Sequence, residues 1–588
     1  MCGIIGFLGN KDAIDSVLDG LTKLEYRGYD SAGIAYLQGN TITNVKAVGH
    51  VDQLISKTKQ NCPPSNTQIA IGHTRWSTHG EPTELNAHPH LSNNGEIAVV
   101  HNGIIENYLE LIELLKGHGI TMRSETDTEV IPNLIQIYFD GDLKKATQKA
   151  IKQLKGSYAI VALAAKNPTT LVCVKQGMPL CIGAGKDFTC ITSDIPTALS
   201  KTQNIYVLDN GDMAVASHGK IEFFNKGTKI EKQLIKPPQS RELITKGPFT
   251  TFMEKEINDI PEVFQRVITY YRNNPIDTNL LNLIRNASTI HICACGSAYH
   301  AGLVIGNLIE KHCRIRVAVH IASEFRYANP LIHPTDIGIV ISQSGETADT
   351  IAAMNLLKEN KIPSIAICNT NNSSLAREAD FHLPMLAGFE IAVASTKAYC
   401  SQVLLGAILV NSLSLRGACD EAIQKPIFPK NAFSLLPMHA RSVISKGNDI
   451  KKLAEKYKEI TRMFFLGKGT DAYAAIESAL KVKQLTYIQC EGYHAGELTH
   501  GPLALVNNET LTGIILTETD EIATNKIDNA TATVKARGSK IWKIETPQSP
   551  LAFCFAVIPA QLFALHLCKL KGHNPDKPRH LAKAVTVG

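Results

Sequence analysis

The chain has little excess charge, no paired-cysteine motif and no long apolar run. Its 588 residues carry 60 lysines and arginines against 54 aspartates and glutamates, which gives a net charge of +6. So small an excess does not predict nucleic-acid binding, although it leaves room for a local basic pocket that takes an anionic substrate. The most apolar stretch, residues 403–410, is too short to span a bilayer. We therefore expect no nucleic-acid and no membrane partner.

The 14 cysteines form no C-x-x-C pair and show no regular spacing. This pattern indicates neither a structural zinc site nor a disulfide framework, and reduced thiols are typical of cytosolic proteins. No signal peptide is recognisable, so we expect a cytoplasmic protein. We also expect no metal and no cofactor. The 44% hydrophobic and 19% charged composition is that of an ordinary globular protein, and the length suits three or four domains.

The N-terminus is the first informative segment, because Cys2 directly precedes an apolar run that predicts a strand. A small residue at position 2 permits removal of Met1, which would leave a thiol and a free α-amine on one residue. The thiolate is the nucleophile, and an α-amine that titrates near about pH 8 can accept the thiol proton. The alternative is an inert cysteine buried on a core strand.

Residues 1 to about 235 alternate short Val/Ile-rich runs with turns and polar, glycine-rich clusters. They predict strands over 69–72, 97–101 and 158–163, and helices over 109–117 and 128–139. Within the clusters, Asn102 and Gly103 are suited to bind an oxyanion. Arg75 is suited to a carboxylate and Asp127 to an ammonium group. Simpler explanations are a hairpin turn at Asn102-Gly103, a surface ion pair at Arg75 and a helix cap at Asp127.

Six segments carry a family resemblance: C-G-I-I-G, Y-R-G-Y-D-S-A-G, G-H-T-R-W-S-T-H-G, N-A-H-P-H, V-H-N-G-I-I-E-N and S-E-T-D-T-E. They resemble the class II glutamine amidotransferase domain of the glucosamine-6-phosphate synthase family. The resemblance implies an N-terminal-nucleophile αββα sandwich that hydrolyses glutamine to glutamate and ammonia. It implies that Cys2 is the nucleophile and that Asn102 and Gly103 form the oxyanion hole. The residues that it implies hold glutamine or gate the passage of ammonia are Arg75, Trp76, Thr78, His79, His88 and Asp127.

After residues 237–262, which are rich in proline, glycine and charge, the pattern changes to strand–turn–helix units that occur twice. The strand that ends at Gly296-Ser297 is echoed by one that ends at Gly469-Thr470. Such a duplication predicts two tandem, doubly wound parallel α/β domains.

In the first repeat, hydroxyl residues and glycine follow a strand and directly precede a helix. Backbone N–H groups, hydroxyls and the positive end of the helix dipole then converge, which favours phosphate binding without a lysine. The residues that we assign to this site are Ser297, Ser342, Gln343, Ser344 and Thr347. Ordinary helix caps are the alternative. The equivalent segment of the second repeat, Thr517-Glu518-Thr519-Asp520, would repel a phosphate.

Three further segments carry candidate catalytic residues. Glu477, Lys481 and Gln484 follow one another at spacings of four and three, so they share one helical face, a pattern that is typical of a solvated stripe. His500 lies in a tight Gly/Pro loop, where it can titrate near neutral pH. Lys583 lies in a short tail that could equally be disordered.

The segments C-G-S, S-Q-S-G-E-T-A-D-T, V-A-S-T-K-A, A-G-E-L-T-H-G-P-L-A-L and L-A-K-x-V-T-V resemble the isomerase part of the same family, which is built from two sugar-isomerase (SIS) domains. The resemblance then spans essentially the whole chain. It implies that fructose 6-phosphate binds at the phosphate site with Val393 and Ser395 near the sugar. It further implies that His500, supplied by the partner subunit of a homodimer, opens the ring and that Lys583 forms a Schiff base. Ammonia that arrives through an internal channel would displace this lysine.

The domains expected from this resemblance are a glutaminase domain (1–236), a linker (237–274), two SIS domains (275–435 and 436–577) and a C-terminal tail that enters the active site (578–588). Two positions depart from the family pattern. Ala298 replaces a hydroxyl residue. Gln484 stands where L-K-x-K-E places the glutamate that moves a proton between C1 and C2. A neutral amide cannot accept that proton, and loss of a general base costs about 10²–10⁴ in rate.

Glu477 and His494 are candidate replacements for the missing base, and three hypotheses follow. The chain is a glutamine-dependent aminotransferase that makes glucosamine 6-phosphate. Alternatively, it is a glutaminase with a sugar-phosphate site that is impaired in isomerisation or acts on another keto-sugar phosphate. The third hypothesis is a sugar-phosphate-sensing regulator. The presence of Lys583 and His500 favours the first, since a sensor needs no Schiff-base lysine.

Overall fold

The computed structural model describes residues 2–10, 12–61, 67–77, 79–217, 219–235, 245–371, 373–414, 426–517 and 521–583. The chain divides into two compact units. Unit 1 comprises Met1–Ile244 with Ala582–Val587, and unit 2 comprises Thr245–Leu581. Each unit has a hydrophobic core of its own.

Unit 1 contains two seven-stranded antiparallel sheets. The strands are β1 (Gly3–Gly9), β2 (Ser31–Gln38), β3 (Thr41–Val48), β4 (Ile69–Arg75), β5 (His90–Leu91), β6 (Ile97–Ile105), β7 (Gly156–Ala164), β8 (Thr170–Gln176), β9 (Cys181–Ala184), β10 (Phe188–Thr192), β11 (Ile205–Val207), β12 (Asp212–Ser217), β13 (Lys220–Asn225) and β14 (Thr228–Ile230). The helices are α1 (Ala13–Leu24), α2 (Val51–Gln60), α3 (Tyr108–Gly117), α4 (Val130–Tyr138), α5 (Leu143–Ile151) and α6 (Ile195–Leu199). The sheet orders are β11-β9-β10-β1-β4-β2-β3 and β14-β13-β12-β8-β7-β6-β5.

Three apolar clusters stack these elements into four layers. Successive residues of a strand point to opposite faces of its sheet. Ile4 of β1 therefore packs with Val161 of β7 between the two sheets, whereas Ile5 packs with Val17 of α1 on the outer face. A third cluster places α3, α4 and α5 on the outer face of the second sheet, with Leu134 at its centre. This helix–sheet–sheet–helix arrangement is the αββα sandwich that the sequence predicts.

The predicted elements of unit 1 occur with shifted ends. The helix predicted over 128–139 begins as a 3₁₀ turn at Asp127–Glu129 and continues as α4. The alternative interpretation of Asn102-Gly103 as a hairpin turn is wrong, because both residues lie inside β6. Gly103 has φ +124°, and a Cβ there would lie 1.9 Å from the carbonyl oxygen of Ser157. Only glycine fits this position, since side chains rarely adopt such a backbone conformation.

Unit 2 contains two parallel sheets with the same strand order. The first comprises β15 (Ile290–Ala294), β16 (Val317–Ile321), β17 (Ile337–Ser342), β18 (Ser364–Cys368) and β19 (Phe381–Pro384), and the second comprises β20 (Arg462–Gly467), β21 (Gln489–His494), β22 (Thr510–Ile515) and β23 (Lys540–Ile544). Their orders are β16-β15-β17-β18-β19 and β21-β20-β22-β23. In each repeat the first strand lies between the second and the third, as in doubly wound folds. The predicted duplication is confirmed.

The helices of unit 2 are α7 (Phe252–Asn258), α8 (Ile260–Asn273), α9 (Thr278–Arg285), α10 (Gly296–Cys313), α11 (Ala322–Phe325), α12 (Ala348–Glu359), α13 (Ser374–Glu378), α14 (Lys397–Ser414), α15 (Lys430–Ser445), α16 (Gly447–Lys456), α17 (Thr470–Thr486), α18 (Glu521–Ala536) and α19 (Ile558–Leu570). Among the described residues one helical segment, Ala552–Leu570, is long and apolar enough to cross a membrane by length and composition, and 83% of it is buried in the structure. It packs against α7, α15, α16 and α17. The sequence analysis missed this segment and singled out residues 403–410, which belong to the buried helix α14.

Candidate active sites

One pocket in unit 1 collects most of the residues that the sequence predicts to hold glutamine. It encloses about 280 Å³ of empty space, counting the solvent at its mouth. The predicted residues on its wall are Cys2, Arg75, Trp76, His79, His88, Gly103 and Asp127. The wall also includes three residues that the sequence analysis did not assign: His101, Thr126 and Thr128. Thr78 lies outside the described residues.

Cys2 lies at the start of β1, a central strand between β10 and β4. The Trp76 N–H donates to Cys2 Sγ at 3.2 Å, and Asn102 Nδ2 donates to the Cys2 carbonyl oxygen at 3.0 Å. Desolvation raises the pKa of the Cys2 thiol. The thiol is therefore protonated at neutral pH in this state, and it needs a base to become a nucleophile.

The amide of Asn102 is held in one orientation by a histidine that the sequence analysis did not assign. His73 Nε2 lies 3.1 Å from Asn102 Oδ1 and 2.9 Å from the carbonyl oxygen of His101. Both of these partners only accept hydrogen bonds, so Nε2 carries the ring proton. Because Oδ1 is bonded to His73, Nδ2 is the end of the amide that faces Cys2. The signal lay in the quoted G-H-T-R-W motif, but its spacing alone does not reveal this contact.

Four histidines beside the pocket are buried and neutral: His73, His88, His90 and His101. The rings of His73 and His88 stack with their centroids 4.0 Å apart. Burial lowers the pKa of His73 to about 3, and it also lowers the pKa of each of the other three. At neutral pH these rings supply hydrogen bonds but no charge.

Arg75 and Asp127 bring one positive and one negative group to the same pocket. Arg75 is only 3% exposed, so its alternative interpretation as part of a surface ion pair is wrong. Its guanidinium donates to the carbonyl oxygens of His79, Gly80 and Glu81. Asp127 Oδ2 accepts from the Ile105 N–H at 2.7 Å. This pair of opposite charges matches the two ends of an amino acid.

The first repeat of unit 2 forms a hydroxyl-lined loop at one edge of its sheet. β15 and β17 pair in parallel, so their carboxyl ends meet at that edge. Ser342 Oγ accepts from the Gly345 N–H at 3.0 Å and lies 2.9 Å from Thr347 Oγ1. Ser344 Oγ accepts from the Glu346 N–H at 3.1 Å. Neither α10 nor α12 has a side-chain cap, so the helix-cap interpretation is wrong for both helices.

The second repeat fills the equivalent place with a carboxylate. Asp471, in the first turn of α17, is 1% exposed and accepts from both the N–H and the hydroxyl of Thr517 at 2.6 Å. A buried carboxylate at this helix N-terminus occupies the position that would otherwise attract an anion. Residues 518–520, to which the sequence analysis assigned repulsion of phosphate, lie outside the described residues.

The remaining predicted sugar-site residues lie on separate segments. The Val393 N–H donates to the carbonyl oxygen of Asp576 at 3.1 Å, and Ser395 is half-buried just before α14. The carbonyl oxygen of Gln343 accepts from the Asn369 N–H at 3.2 Å. His500 is exposed after a 3₁₀ turn, and Lys583 is half-buried in the C-terminal tail.

Glu477 and Lys481 do not form a solvated stripe, because both side chains are fully buried on α17. Glu477 Oε1 lies 3.2 Å from Lys481 Nζ and accepts from Ser297 Oγ at 2.9 Å. Lys481 Nζ also donates to Ser297 Oγ at 3.0 Å and to Gln484 Oε1 at 2.9 Å. Burial opposes ionisation of Glu477, but Lys481 and His300 outweigh it and hold the pKa of this carboxyl below its usual value.

His300, on the second turn of α10, completes this cluster and was missed from the sequence. Its Nδ1 lies 2.7 Å from Glu477 Oε2, and its side chain is 14% exposed. Nothing in the spacing of the sequence joins position 300 to position 477, since the pair forms only when the two repeats pack together. The first repeat thus supplies Ser297 and His300, and the second supplies the charged groups.

Comparisons with known proteins find family matches in both units. Residues 73–200 match the glutamine amidotransferase domain family, and residues 283–412 and 456–566 match the SIS domain family. Among curated relatives, the glutamine–fructose-6-phosphate aminotransferase (isomerizing) of Clostridium tetani is 40% identical and that of Escherichia coli is 38% identical, each over 100% of both chains. The solved C-terminal domain of the glucosamine-fructose-6-phosphate aminotransferase of Francisella tularensis is 30% identical over 57% of this chain and 100% of its own, with a TM-score of 0.52.

Proposed function

Because this chain belongs to the family of isomerizing glutamine–fructose-6-phosphate aminotransferases, we propose that it converts glutamine and fructose 6-phosphate to glutamate and glucosamine 6-phosphate, the first step of amino-sugar biosynthesis. The observation that carries the proposal is the unit 1 pocket, which is lined by Cys2, Gly103 and the oppositely charged Arg75 and Asp127. Asn102, the other proposed oxyanion donor, contacts the Cys2 carbonyl oxygen at 3.0 Å. Ammonia released there is the amine that the sugar receives.

The glutaminase reaction begins when the α-amine of a mature chain that starts at Cys2 accepts the thiol proton. The thiolate attacks the side-chain amide carbon, and Asn102 Nδ2 and the Gly103 N–H stabilise the oxyanion. Collapse of this intermediate releases ammonia and leaves a thioester, which water hydrolyses to glutamate. Arg75 holds the α-carboxylate and Asp127 the α-ammonium group. The remaining glutamine contacts that we propose are Trp76, Thr78, His79 and His88.

The sugar phosphate binds in unit 2 in this proposal. The proposed phosphate site comprises Ser297, Ser342, Gln343, Ser344 and Thr347, and the uncapped starts of α10 and α12 support it. Val393 and Ser395 lie near the sugar in this proposal. Lys583 forms a Schiff base with the keto group, and ammonia displaces it. The exposed position of His500 supports its use by the partner subunit of a homodimer, where it opens the sugar ring.

A second candidate function rests on Gln484, whose Oε1 accepts a hydrogen bond from Lys481. The side-chain amide of this residue cannot act as a general base. In that case the chain hydrolyses glutamine and binds a keto-sugar phosphate but isomerises it poorly. The experiment measures glutamate and amino-sugar phosphate in one reaction, with the parent chain and with Gln484→Glu. Equal formation of both products by the parent supports the synthase. Release of glutamate with little amino sugar, restored in Gln484→Glu, supports the impaired enzyme.

We propose domain limits of 1–236, 237–274, 275–435, 436–577 and 578–588 for the glutaminase, linker, two SIS domains and tail. A cytoplasmic location is part of the same proposal, since the described cysteines are all free thiols. Separation of the ammonia-forming and ammonia-using reactions is tested by Cys2→Ala, which removes the nucleophile.

A further inference from the structure

The contact between His300 and Glu477 provides a base for the sugar reaction that the sequence does not reveal. His300 Nδ1 lies 2.7 Å from a carboxylate oxygen that accepts hydrogen bonds, so Nδ1 carries the ring proton. In the neutral form of this ring, Nε2 is then the unprotonated nitrogen. No further hydrogen bond of this ring occurs within the part of the chain that the structure describes. The side chain is 14% exposed, so the ring is not fully enclosed by the protein.

The position of His300 in the fold relates it to the sugar phosphate. It lies on the second turn of α10, which begins directly after β15, and β15 is adjacent to β17 and the loop that follows it. Ser297 and His300 contact the same carboxylate of Glu477. A sugar whose phosphate binds at the Ser342–Thr347 loop therefore has this imidazole at the same edge of the sheet.

Other candidates for the base are less suitable. Glu477 is fully buried, and both of its oxygens already accept hydrogen bonds. Lys481 is fully buried among three oxygen partners, one of which is Gln484. His494 is exposed at the end of β21, in the second repeat, where its ring contacts Tyr473. Of these candidates, His300 alone combines a ring oriented by a carboxylate with a second nitrogen that has no hydrogen-bond partner among the described residues.

We propose that His300, oriented by Glu477, transfers the proton between C1 and C2 of the sugar; this inference rests on the proposed function. Ammonia displaces Lys583 from its Schiff base with the keto group, which leaves an iminium at C2 and a free lysine amine. His300 Nε2 removes a proton from C1, the C1–H electron pair becomes the C1=C2 bond, and the C=N π pair moves to nitrogen to give a neutral enolamine. The imidazolium returns its proton to C2 on the C1=C2 π pair. The C1 hydroxyl then releases its proton to solvent and becomes the aldehyde carbonyl.

Glu477 stabilises the imidazolium between these two transfers, because its carboxylate faces the protonated Nδ1. Lys481 Nζ lies 3.2 Å from Glu477 Oε1 and favours the ionised form of that carboxylate. The buried cluster therefore holds one carboxylate, one ammonium group and the imidazole ring, and the amide at position 484 adds no second negative charge. A glutamine at this position is compatible with isomerisation if the histidine supplies the base.

The test uses His300→Asn in the full chain, because the asparagine amide can still donate to Glu477 but cannot accept a proton. We expect the rate of amino-sugar formation to fall about 10²–10⁴-fold, as for loss of a general base. The dissociation constant for fructose 6-phosphate should stay within about threefold. The kinetic isotope effect with fructose 6-phosphate deuterated at C1 should rise, because C1–H cleavage becomes slower than the other steps. A structural role alone would not change this isotope effect.

His312→Asn is the matched control, since it makes the same substitution in the last turn of the same helix. The double variant His300→Asn/Gln484→Glu should regain activity over His300→Asn, because it restores a base beside Lys481. An unchanged amino-sugar rate in His300→Asn overturns this inference alone, and so does a loss that is explained by weaker sugar binding. A parent chain that releases glutamate and forms no amino sugar overturns the proposed synthase as well.

Discussion

The two candidate sites handle ionisable groups in opposite ways. Beside the unit 1 pocket, four buried histidines are kept neutral by desolvation, and the oxyanion donors are an amide and a backbone N–H. In unit 2, Glu477 and Lys481 are equally buried, but both are charged because each has the other as a partner. Burial alone therefore does not decide charge; the presence of a counter-ion does.

This difference fits the two reactions. Hydrolysis of an amide creates a transient oxyanion, which fixed neutral donors stabilise without competing charges. Movement of a proton along a sugar instead requires a group whose protonated form is stabilised by a neighbouring carboxylate.

The largest expected effect is that of Cys2→Ala. Loss of the nucleophile should lower glutamate release by at least about 10⁴-fold. Formation of amino sugar from fructose 6-phosphate and added ammonium salt should continue, because the unit 2 site is unchanged. The two products are measured separately with each nitrogen source. If Cys2→Ala also abolishes the ammonium-dependent reaction, the two sites are not chemically independent.

Acid should destabilise unit 1 more steeply than unit 2. A histidine that is neutral when folded and titrates near 6.5 when unfolded binds more protons in the unfolded state, so stability falls as pH falls below about 6.5. Four such histidines give a loss of up to about 5 kcal/mol per pH unit. The histidines of unit 2 whose pKa is lowered, among them His320 and His382, are only partly buried.

The measurement is urea unfolding between pH 7 and pH 5, followed by tryptophan fluorescence. The chain has two tryptophans, Trp76 in unit 1 and Trp542 in unit 2, so Trp542→Phe and Trp76→Phe each leave one reporter. Equal loss of stability at both reporters would contradict the contrast between the sites.

Removal of one partner of the buried ion pair should destabilise unit 2. Lys481→Met leaves Glu477 without its ammonium partner and should cost about 3–5 kcal/mol. The double variant Lys481→Met/Glu477→Gln should recover part of this loss, because no charge is then left uncompensated. Urea unfolding in the Trp76→Phe background reports on unit 2. A double variant that is no more stable than Lys481→Met would show that the pair is not held together by charge compensation.

The smallest effect concerns the orientation of Asn102. His73→Leu removes the donor to Asn102 Oδ1, and we expect kcat for glutamine hydrolysis to fall about 10- to 100-fold, less than for loss of an oxyanion donor itself. KM for glutamine should change little. The inhibition constant of glutamate γ-semialdehyde, which forms a tetrahedral adduct with the thiol, should rise by the same factor as kcat falls. Alkylation of Cys2 by iodoacetamide, which forms no oxyanion, should keep its rate in a correctly folded variant.

The sequence predicted the parts of this molecule that depend on local pattern. The strand after Cys2, the duplicated strand–turn–helix units and the hydroxyl loop after β17 all follow from spacing and residue type. It did not predict contacts that depend on packing of distant segments. The hydrogen bond between His73 and Asn102 joins β4 of one sheet to β6 of the other. The contact between His300 and Glu477 joins the two repeats of unit 2.

Burial was the other source of error. Glu477 and Lys481 have the spacing of a solvated helical face, and charged residues usually occupy such faces. The face lies instead against α10, where Ser297 and His300 supply partners. The sequence of α17 alone contains no sign of that second helix.

The position of α19 has a consequence for how the protein is made. Helices α7, α15, α16 and α17, which it covers, are all synthesised before it. On the ribosome, unit 2 therefore carries uncovered apolar surface until this late helix emerges, whereas the sandwich of unit 1 packs without it. Translation that stalls before α19 should release chains with a folded glutaminase half and an aggregation-prone remainder. Chaperone demand should accordingly concentrate on the second half of the nascent chain.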